Sequence, residues 1–270
     1  MLKVTNLTKS YGTHLLFDEV SFVVNPKERV GLVGRNGHGK TTLLKIFLGT
    51  EHAESGEVYT PKGYRIGYLE QQINFTKKTL VDEGCLGLPL EQRDERWKVE
   101  KVLAGLGFSE DDFCRDPHLL SGGFQIRLQL VKTLVSDAHL LLLDEPTNYL
   151  DIVSIRWLKT FLNSWPNELM IITHDRSFMD SVVTHVLGIH RKKVRKIEGT
   201  TGKFYAQIEQ EEDIHERTRL KDDKKRKKTE VFINKFRAKA RQGSLAQSRI
   251  KMLEKQEKLE LEISILRCTH

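Results

Sequence analysis

The chain has 270 residues, of which 39% are apolar and 30% are charged. This composition suffices for one core of about 200 residues and a smaller appendage, and it excludes a largely disordered chain. No apolar run approaches the roughly 18 residues that span a bilayer. Three scattered cysteines exclude a disulfide framework, and residues 1–11 lack the apolar centre of a signal peptide. We therefore expect a cytoplasmic protein with no membrane partner.

The net charge of +7 is concentrated near the C-terminus. Residues 203–270 hold 18 Lys/Arg and 12 Asp/Glu, so they carry six of the seven net positive charges. Within them, residues 217–251 contain 14 basic and 3 acidic side chains. This density favours a polyanionic partner, although an ordinary solvated helix face would have a similar composition.

Strand-like and helix-like segments alternate as far as about residue 200. The apolar patterns predict strands at residues 2–7, 20–24, 29–33, 64–69, 140–143, 169–173 and 186–189. They predict helices at residues 97–106, 124–135 and 152–162. A strand as uniformly apolar as residues 140–143 is typical of a parallel sheet that is covered on both faces. The sequence therefore predicts an α/β domain over residues 1–202.

Residues 203–270 have a different character, because they contain no strand pattern, no proline and one glycine, Gly243. The pattern predicts a helix over about 203–240 and a second helix over about 247–266, joined by a turn at 242–244. We therefore expect a basic helical hairpin to follow the first domain.

A glycine-rich loop follows the predicted strand 29–33 and precedes a helix. Its glycines allow the backbone to aim successive N–H groups at a phosphate, and the helix N-terminus adds its positive dipole end. Lys40 is expected to hold the β- and γ-phosphates, and the Thr41 hydroxyl to bind Mg²⁺. The loop thus predicts a nucleoside triphosphate ligand. The predicted phosphate-binding residues are Gly34, Asn36, Gly37, Gly39, Lys40, Thr41 and Thr42.

Polar residues follow two other predicted strands. Asp144 and Glu145 end the apolar strand 140–143, and His174 ends the strand 169–173. We expect Asp144 to hold Mg²⁺ and Glu145 to orient or deprotonate an attacking water. His174 is expected to hydrogen-bond the γ-phosphate. A histidine at a strand end is also common as a plain surface residue.

Three further features have both a functional and an ordinary interpretation. Tyr11, after the first strand, is placed to stack on a purine ring or simply to pack. Gln71, after the strand 64–69, is placed to reach a metal ion or a water, or it is an ordinary loop residue. Ser121, Gly122 and Gly123 precede the predicted helix 124–135, with Ser121 as a natural N-cap. They form either a second anion site or an ordinary helix start.

Taken in order, these motifs resemble those of the ATP-binding cassette ATPases over residues 1 to about 202. They match the phosphate loop, the glutamine loop (Gln71), the signature (120–123), the metal-binding strand (Asp144), the D-loop (Asp151) and the histidine switch (His174). The resemblance implies hydrolysis of ATP with Mg²⁺, with Gln71 also a metal ligand. It further implies that Asp151 and the signature bind nucleotide and that two cassettes pair head to tail, so that Ser121, Gly122 and Gly123 complete the other cassette's site.

Within that class, three details are similar to the ABC-F branch. Phe124 follows the signature glycines, Asn148 and Tyr149 precede the D-loop, and a long basic helical segment comes after the cassette. The resemblance implies action in translation, with the ribosome, rRNA and tRNA as partners. Members of the branch carry two cassettes, whereas this sequence contains one phosphate loop. A second cassette is therefore expected from another chain or from a missing stretch.

Two alternatives remain open at this point. The cassette motifs also suit the ATPase subunit of a membrane transporter. The second alternative is a nucleotide-responsive RNA-binding module in which catalysis is vestigial.

Overall fold

The structure, a computed structural model, describes residues 1–69 and 74–237. One compact unit comprises Met1–Tyr205, and a second begins at Ala206. The strands of the described residues are β1 (Leu2–Tyr11), β2 (His14–Val24), β3 (Arg29–Gly34), β4 (Ser55–Tyr59), β5 (Ile66–Tyr68), β6 (Leu140–Asp144), β7 (Glu168–Ile172), β8 (His185–His190) and β9 (Lys193–Glu198). The α-helices are α1 (Lys40–Phe47), α2 (Leu80–Cys85), α3 (Arg96–Gly105), α4 (Gly122–Leu134), α5 (Ile152–Asn163), α6 (Arg176–Val182) and α7 (Thr201–Arg237).

A six-stranded sheet forms the centre of the first unit. Its strand order is β5-β6-β7-β3-β8-β9, and all neighbours are parallel except the final pair, β8 and β9. A separate antiparallel sheet has the order β2-β1-β4. Because β6, β7 and β3 are adjacent and parallel, the residues that follow these three strands meet at one edge of the sheet.

Two hydrophobic clusters cover the two faces of the central sheet. Leu140 and Leu142 pack in the cluster that contains α1 and the antiparallel sheet. Leu141 and Leu143 pack in the cluster that contains side chains of α2 to α6. All four leucines are fully buried. This two-sided burial explains why β6 is uniformly apolar rather than alternating.

The predicted strands and helices of the first domain are all present, with ends that differ by up to six residues. The largest difference is at β2, which begins at His14 rather than at residue 20 because it pairs with the whole of β1. Strands β4 and β9 and helices α2 and α6 are present but were not predicted from the sequence. The two strands lie at sheet edges, where most residues of β4 and half of those of β9 are exposed. The two helices have only six and seven residues, so none of the four elements has a clear apolar period.

The first turn of α7 belongs to the first unit and is held by contacts within that unit. The backbone N–H and the hydroxyl of Thr201 donate to the Asp180 carboxylate at 2.7 and 3.0 Å. Phe204 is 3% exposed, and its ring lies 1.8 Å from the place where a Cβ on Gly188 would stand, so β8 needs a glycine there. Helix is present as far as Arg237, whereas the end of the predicted first helix, the predicted turn at 242–244 and the predicted second helix lie outside the described residues.

A buried ion pair fixes α2 to α4. The Glu83 carboxylate is fully buried and accepts hydrogen bonds from Lys132 Nζ at 2.6 Å and from the backbone N–H groups of Thr76 and Lys77 at 2.8 and 2.9 Å. Burial favours a raised pKa for Glu83, but these three donors outweigh it and lower the pKa below the usual glutamate value. Glu83 therefore stabilises the fold at neutral pH, and its contribution is lost as the pH falls through the lowered pKa.

We predict that Lys132→Met lowers the free energy of unfolding by about 3 kcal/mol at pH 7, because it leaves the buried Glu83 charge without its counter-ion. The free energy of unfolding is measured by urea titration monitored by tryptophan fluorescence. Its difference between the variant and the wild type should become smaller toward pH 4, since the pKa of Glu83 rises in the variant and protonation removes the unpaired charge. Lys101→Met, at an exposed position of α3, is the matched control. A loss equal to that of the control would contradict the assigned role of the pair.

Candidate functional site

A cleft of about 520 Å³ lies at the carboxyl edge of the central sheet. This volume is within the usual range of small-molecule sites. A smaller cavity of about 150 Å³ adjoins it and shares Lys40, Glu145, Ile172 and His174. The cleft is lined by Tyr11, His14, Leu16, Asn36, Gly37, Gly39, Lys40, Thr41, Thr42, Asp144, Glu145, Ile172 and His174.

The loop between β3 and α1 has the backbone that a phosphate cradle requires. Gly39 stands at the N-cap of α1 with φ +89°, and a Cβ there would lie 2.8 Å from Phe17 Cζ. Only glycine satisfies both the left-handed conformation and this close approach. Lys40 Nζ donates to the backbone oxygens of Gly34 at 2.8 Å and Arg35 at 3.3 Å. The lysine is therefore folded back along the loop.

Charges in the cleft shift one another's pKa values. Burial lowers the pKa of Lys40, although the nearby Asp144 and Glu145 charges oppose this effect. Burial and the Glu145 charge raise the pKa of Asp144, although a hydrogen bond from Thr41 opposes that shift. The two carboxylates thus form a partly buried anionic pair that a cation would stabilise.

Thr41 and Asp144 place two oxygen atoms side by side in the cleft. The Thr41 hydroxyl donates to Asp144 Oδ2 at 3.4 Å, which joins the start of α1 to the end of β6. A hydroxyl and a carboxylate are hard donors of the kind that Mg²⁺ prefers when phosphate oxygens and waters complete its shell. These residues fit a magnesium ion bound together with a nucleotide.

Glu145 has a strained backbone and a close histidine partner. Its φ is +52°, an uncommon value for a residue other than glycine, and its N–H donates to Ile172 O at 2.8 Å. Glu145 Oε2 accepts a hydrogen bond from the His174 backbone N–H at 3.4 Å, and Oε1 lies 3.6 Å from His174 Nε2. The ends of β6 and β7 thus hold this carboxylate toward the cleft.

The structure brings most of the predicted residues into this one cleft. Tyr11, Asp144, Glu145, His174 and the predicted loop residues line it, except Gly34, which lines the adjoining cavity. Gln71 lies outside the described residues. Two lining residues were not predicted from the sequence: His14, which pairs with Tyr11 across a two-residue turn, and Leu16, which packs near Gly39. The short spacing between Tyr11 and His14 is the signal that would have indicated the first of these.

The signature residues stand elsewhere on the cassette. Ser121 stands at the N-cap position of α4, as predicted, although its side chain accepts no capping hydrogen bond. A Cβ on Gly122 would meet no atom within 4 Å, which shows that the helix start is open. None of Ser121, Gly122 or Gly123 lines the cleft of the same chain.

Asp151 also lies away from the cleft of its own chain. Its Oδ1 accepts hydrogen bonds from the backbone N–H groups of Val153 at 3.0 Å and Ser154 at 2.9 Å, and so caps α5. Asp151 Oδ2 lies 3.2 Å from Arg127 Nη1. Asp151 does not line the cleft of its own chain, because helix capping and an ion pair engage its carboxylate. Its contact with nucleotide stays a prediction.

Arg127 joins the signature helix to the D-loop, a role that the sequence analysis missed. Its Nε donates to Tyr149 O at 2.7 Å, and Nη1 donates to Leu106 O at 3.2 Å. The guanidinium also stacks on the Phe124 ring, 4.6 Å from the ring centroid. Tyr149 has a left-handed φ of +65°, and its Cβ lies 3.4 Å from the place where a Cβ on Gly123 would stand. The two motifs therefore form one surface.

Comparison with known proteins agrees with this architecture. Two family models, both described as "ABC transporter", match residues 17–148 and 187–266. The dimeric structure of the bacterial ABC transporter cassette MJ0796 superposes with a TM-score of 0.61 at 23% identity, covering 73% of this chain and 98% of that cassette. A second MJ0796 dimer, in a post-hydrolysis state bound to ADP and Pi, gives a TM-score of 0.60 at 23% identity, with coverage of 73% and 98%. The fold is that of an ATP-binding cassette.

Two curated relatives narrow the class. The probable ATP-binding protein YheS of Haemophilus influenzae is 32% identical over 289 residues, which cover 95% of this chain and 45% of YheS. The ATP-binding cassette sub-family F member 3 of Rattus norvegicus is 30% identical, with coverage of 94% of this chain and 40% of the relative. The chain belongs to the ABC-F family of ATP-binding cassette ATPases. It spans about half the length of the curated relatives it matches.

A membrane-spanning helix must be both long and apolar. Within residues 1–69 and 74–237, no helix combines the length and the apolar content that a bilayer crossing requires.

We predict that Gly39→Ala weakens nucleotide binding at least tenfold, because the added Cβ meets Phe17 and disfavours the left-handed N-cap that shapes the loop. Isothermal titration calorimetry measures the affinity. Gly63→Ala is the matched control, since Gly63 is also left-handed at φ +78° but has open space around its Cβ position and lies outside the cleft. Equal affinities for the two variants would contradict the assigned role of Gly39.

Proposed function

We propose that this chain binds ATP with Mg²⁺ in the cleft and hydrolyses ATP when a second cassette completes the site. The main support is the convergence of Lys40, Thr41, Asp144, Glu145 and His174 at one edge of the sheet. These side chains supply a cation for phosphate, oxygen ligands for a metal ion and a carboxylate for a water molecule. That combination suits phosphoryl transfer to water.

Each end of the nucleotide has a proposed set of contacts. The backbone N–H groups of the loop and of the N-terminus of α1 bind the phosphates. Lys40 binds them as well, and its ammonium leaves the carbonyl oxygens of Gly34 and Arg35 to hydrogen-bond the phosphate oxygens. Thr41 and Asp144 hold Mg²⁺, which when bound neutralises charge on the β- and γ-phosphates. Tyr11, 49% exposed at the mouth of the cleft, stacks on the base.

Glu145 is the proposed residue for water activation. A carboxylate fixed by His174 can accept a hydrogen bond from the attacking water and take its proton as the bond to phosphorus forms. The His174 side chain is 76% exposed, so its imidazole is accessible to the γ-phosphate. By family resemblance, Gln71 contributes to metal or water binding.

A second cassette is the proposed source of the remaining contacts. The N-terminus of α4 is open, and its residues do not line the cleft of the same chain. Backbone N–H groups at a helix N-terminus are good ligands for a γ-phosphate. The similar cassette MJ0796 is described as dimeric. We propose that the signature residues Ser121 to Gly123, together with the Asp151 loop, act on the nucleotide of the partner cassette.

We predict that Glu145→Gln retains ATP affinity within about twofold and lowers turnover at least a hundredfold, since the amide keeps the shape of the side chain but is not a base. Binding is measured by calorimetry, and hydrolysis by phosphate release. If two copies of this chain form the site, the wild-type rate rises with the square of protein concentration. Wild-type turnover in Glu145→Gln would exclude this role for Glu145, and no turnover at any concentration would leave only nucleotide binding.

The second part of the proposal is action on the ribosome in the cytoplasm, through contacts of α7 with rRNA or tRNA. Its support is the charge of the second unit together with membership of the ABC-F family. Residues 206–216 contain five acidic and no Lys/Arg side chains, whereas residues 217–228 contain eight Lys/Arg and two Asp. Every residue from 216 to 228 is exposed, so these cations are available to phosphates. RNA phosphates bind such groups through counterion release.

We predict ATP-dependent pelleting of Glu145→Gln with ribosomes at low salt and weaker pelleting at high salt. Replacing Lys224, Lys225, Lys227 and Lys228 by Gln should reduce the salt dependence of ribosome binding. The slope of the logarithm of the association constant against the logarithm of the salt concentration should become shallower by roughly 3, because up to four phosphate contacts are lost. The matched control replaces four exposed cassette lysines, Lys62, Lys78, Lys101 and Lys159, by Gln. Indifference to ribosomes under all conditions, or an equal effect of both variants, would contradict this part of the proposal.

A further inference from the structure

The Tyr11 ring lines the cleft and is about half exposed. Tyr11 is the last residue of β1. A stacking platform with so much exposure loses rotamer freedom when a base binds, unless other contacts have already fixed the ring. Two charged residues near Tyr11 provide such contacts.

Lys9 is the first of these residues. It is only 8% exposed, which is rare for a lysine unless its charge is paired. Its Nζ donates to Glu51 Oε1 at 2.6 Å and to His52 O at 2.8 Å. The same ammonium lies 4.9 Å from the centroid of the Tyr11 ring, within the range of a cation–π interaction.

Glu51 is the second charged residue near Tyr11, and it connects Lys9 and Tyr11 to the helix that follows the phosphate loop. The backbone N–H groups of Thr50 and Glu51 donate to Lys45 O at 3.0 and 3.2 Å, which fixes the segment to the last turn of α1. The Glu51 carboxylate in turn pairs with the Lys9 ammonium, which lowers the pKa of Glu51, and through Lys9 it connects to the Tyr11 ring. The helix that carries Lys40 at its start therefore holds the Tyr11 contact at its end.

We propose that Lys9 and Glu51 are positioning residues that hold the Tyr11 ring at a fixed distance from the phosphate loop. The ring is then preorganised to stack on the base of a nucleotide whose phosphates occupy the loop. This inference rests on the proposed binding of ATP and deepens it, because it assigns the base contact to a three-residue group rather than to Tyr11 alone. The ammonium covers one face of the ring, and the base stacks on the other.

Calorimetric titration of magnesium-loaded ATP and of inorganic tripolyphosphate tests this inference. Glu51→Ala should raise the ATP dissociation constant about tenfold, within the range of base–aromatic stacking, and leave tripolyphosphate binding unchanged within twofold. Lys9→Met, which retains the aliphatic stem, should have the same selective effect. Glu51→Gln, which retains an acceptor oxygen, should recover most of the ATP affinity. The control is Glu54→Ala, which removes a nearby carboxylate that accepts from Ser10.

A double variant distinguishes positioning from a general effect on folding. In a Tyr11→Leu background, Glu51→Ala should cause no further loss of ATP affinity. An equal loss for ATP and tripolyphosphate, or full additivity with Tyr11→Leu, would overturn the inference. So would wild-type ATP affinity in Tyr11→Leu, while the proposed ATP binding through Lys40 would stand. Failure of the wild-type protein to bind ATP would instead overturn the proposed function and this inference with it.

Discussion

Two-sided burial of the parallel sheet is the constraint on which the rest of this structure depends. Leu140 to Leu143 contribute alternately to the two hydrophobic clusters, so β6 cannot shift its register by one residue without exchanging their faces. With β6 fixed between β5 and β7, Asp144 and Glu145 must emerge at the edge where β3 leads into the phosphate loop. The position of the polar cleft thus follows from the packing of apolar side chains.

The cleft concentrates charges that only partly satisfy one another. Burial and the Glu145 charge destabilise ionised Asp144, while burial also disfavours the charged form of Lys40. Lys40 meanwhile hydrogen-bonds carbonyl oxygens of its own loop. The proposed ligand, a magnesium-bound triphosphate, supplies both a cation for the carboxylates and an anion for the lysine. This complementarity is a physical reason for the cleft to bind the two together.

The cassette has a second polar surface whose organisation is separate from that of the cleft. Arg127 holds the signature helix and the D-loop together through contacts with Tyr149, Leu106 and Asp151. Tyr149 at this surface has a left-handed backbone, and such strain is often found at functional sites. A surface that carries an open helix N-terminus suits the proposed role of completing another cassette's site.

Local chemistry in the sequence was sufficient to predict the phosphate loop, the carboxylates after β6 and the histidine after β7. Each consists of consecutive residues whose spacing reflects a strand, a glycine turn or a helix start, and the α/β class follows from the same alternation. The contacts of Glu51 with Lys9, of Arg127 with Asp151 and of Phe204 with Gly188 were not predictable in this way. They join residues 16 to 42 positions apart, so they exist only because packing of the sheets and helices brings distant segments together.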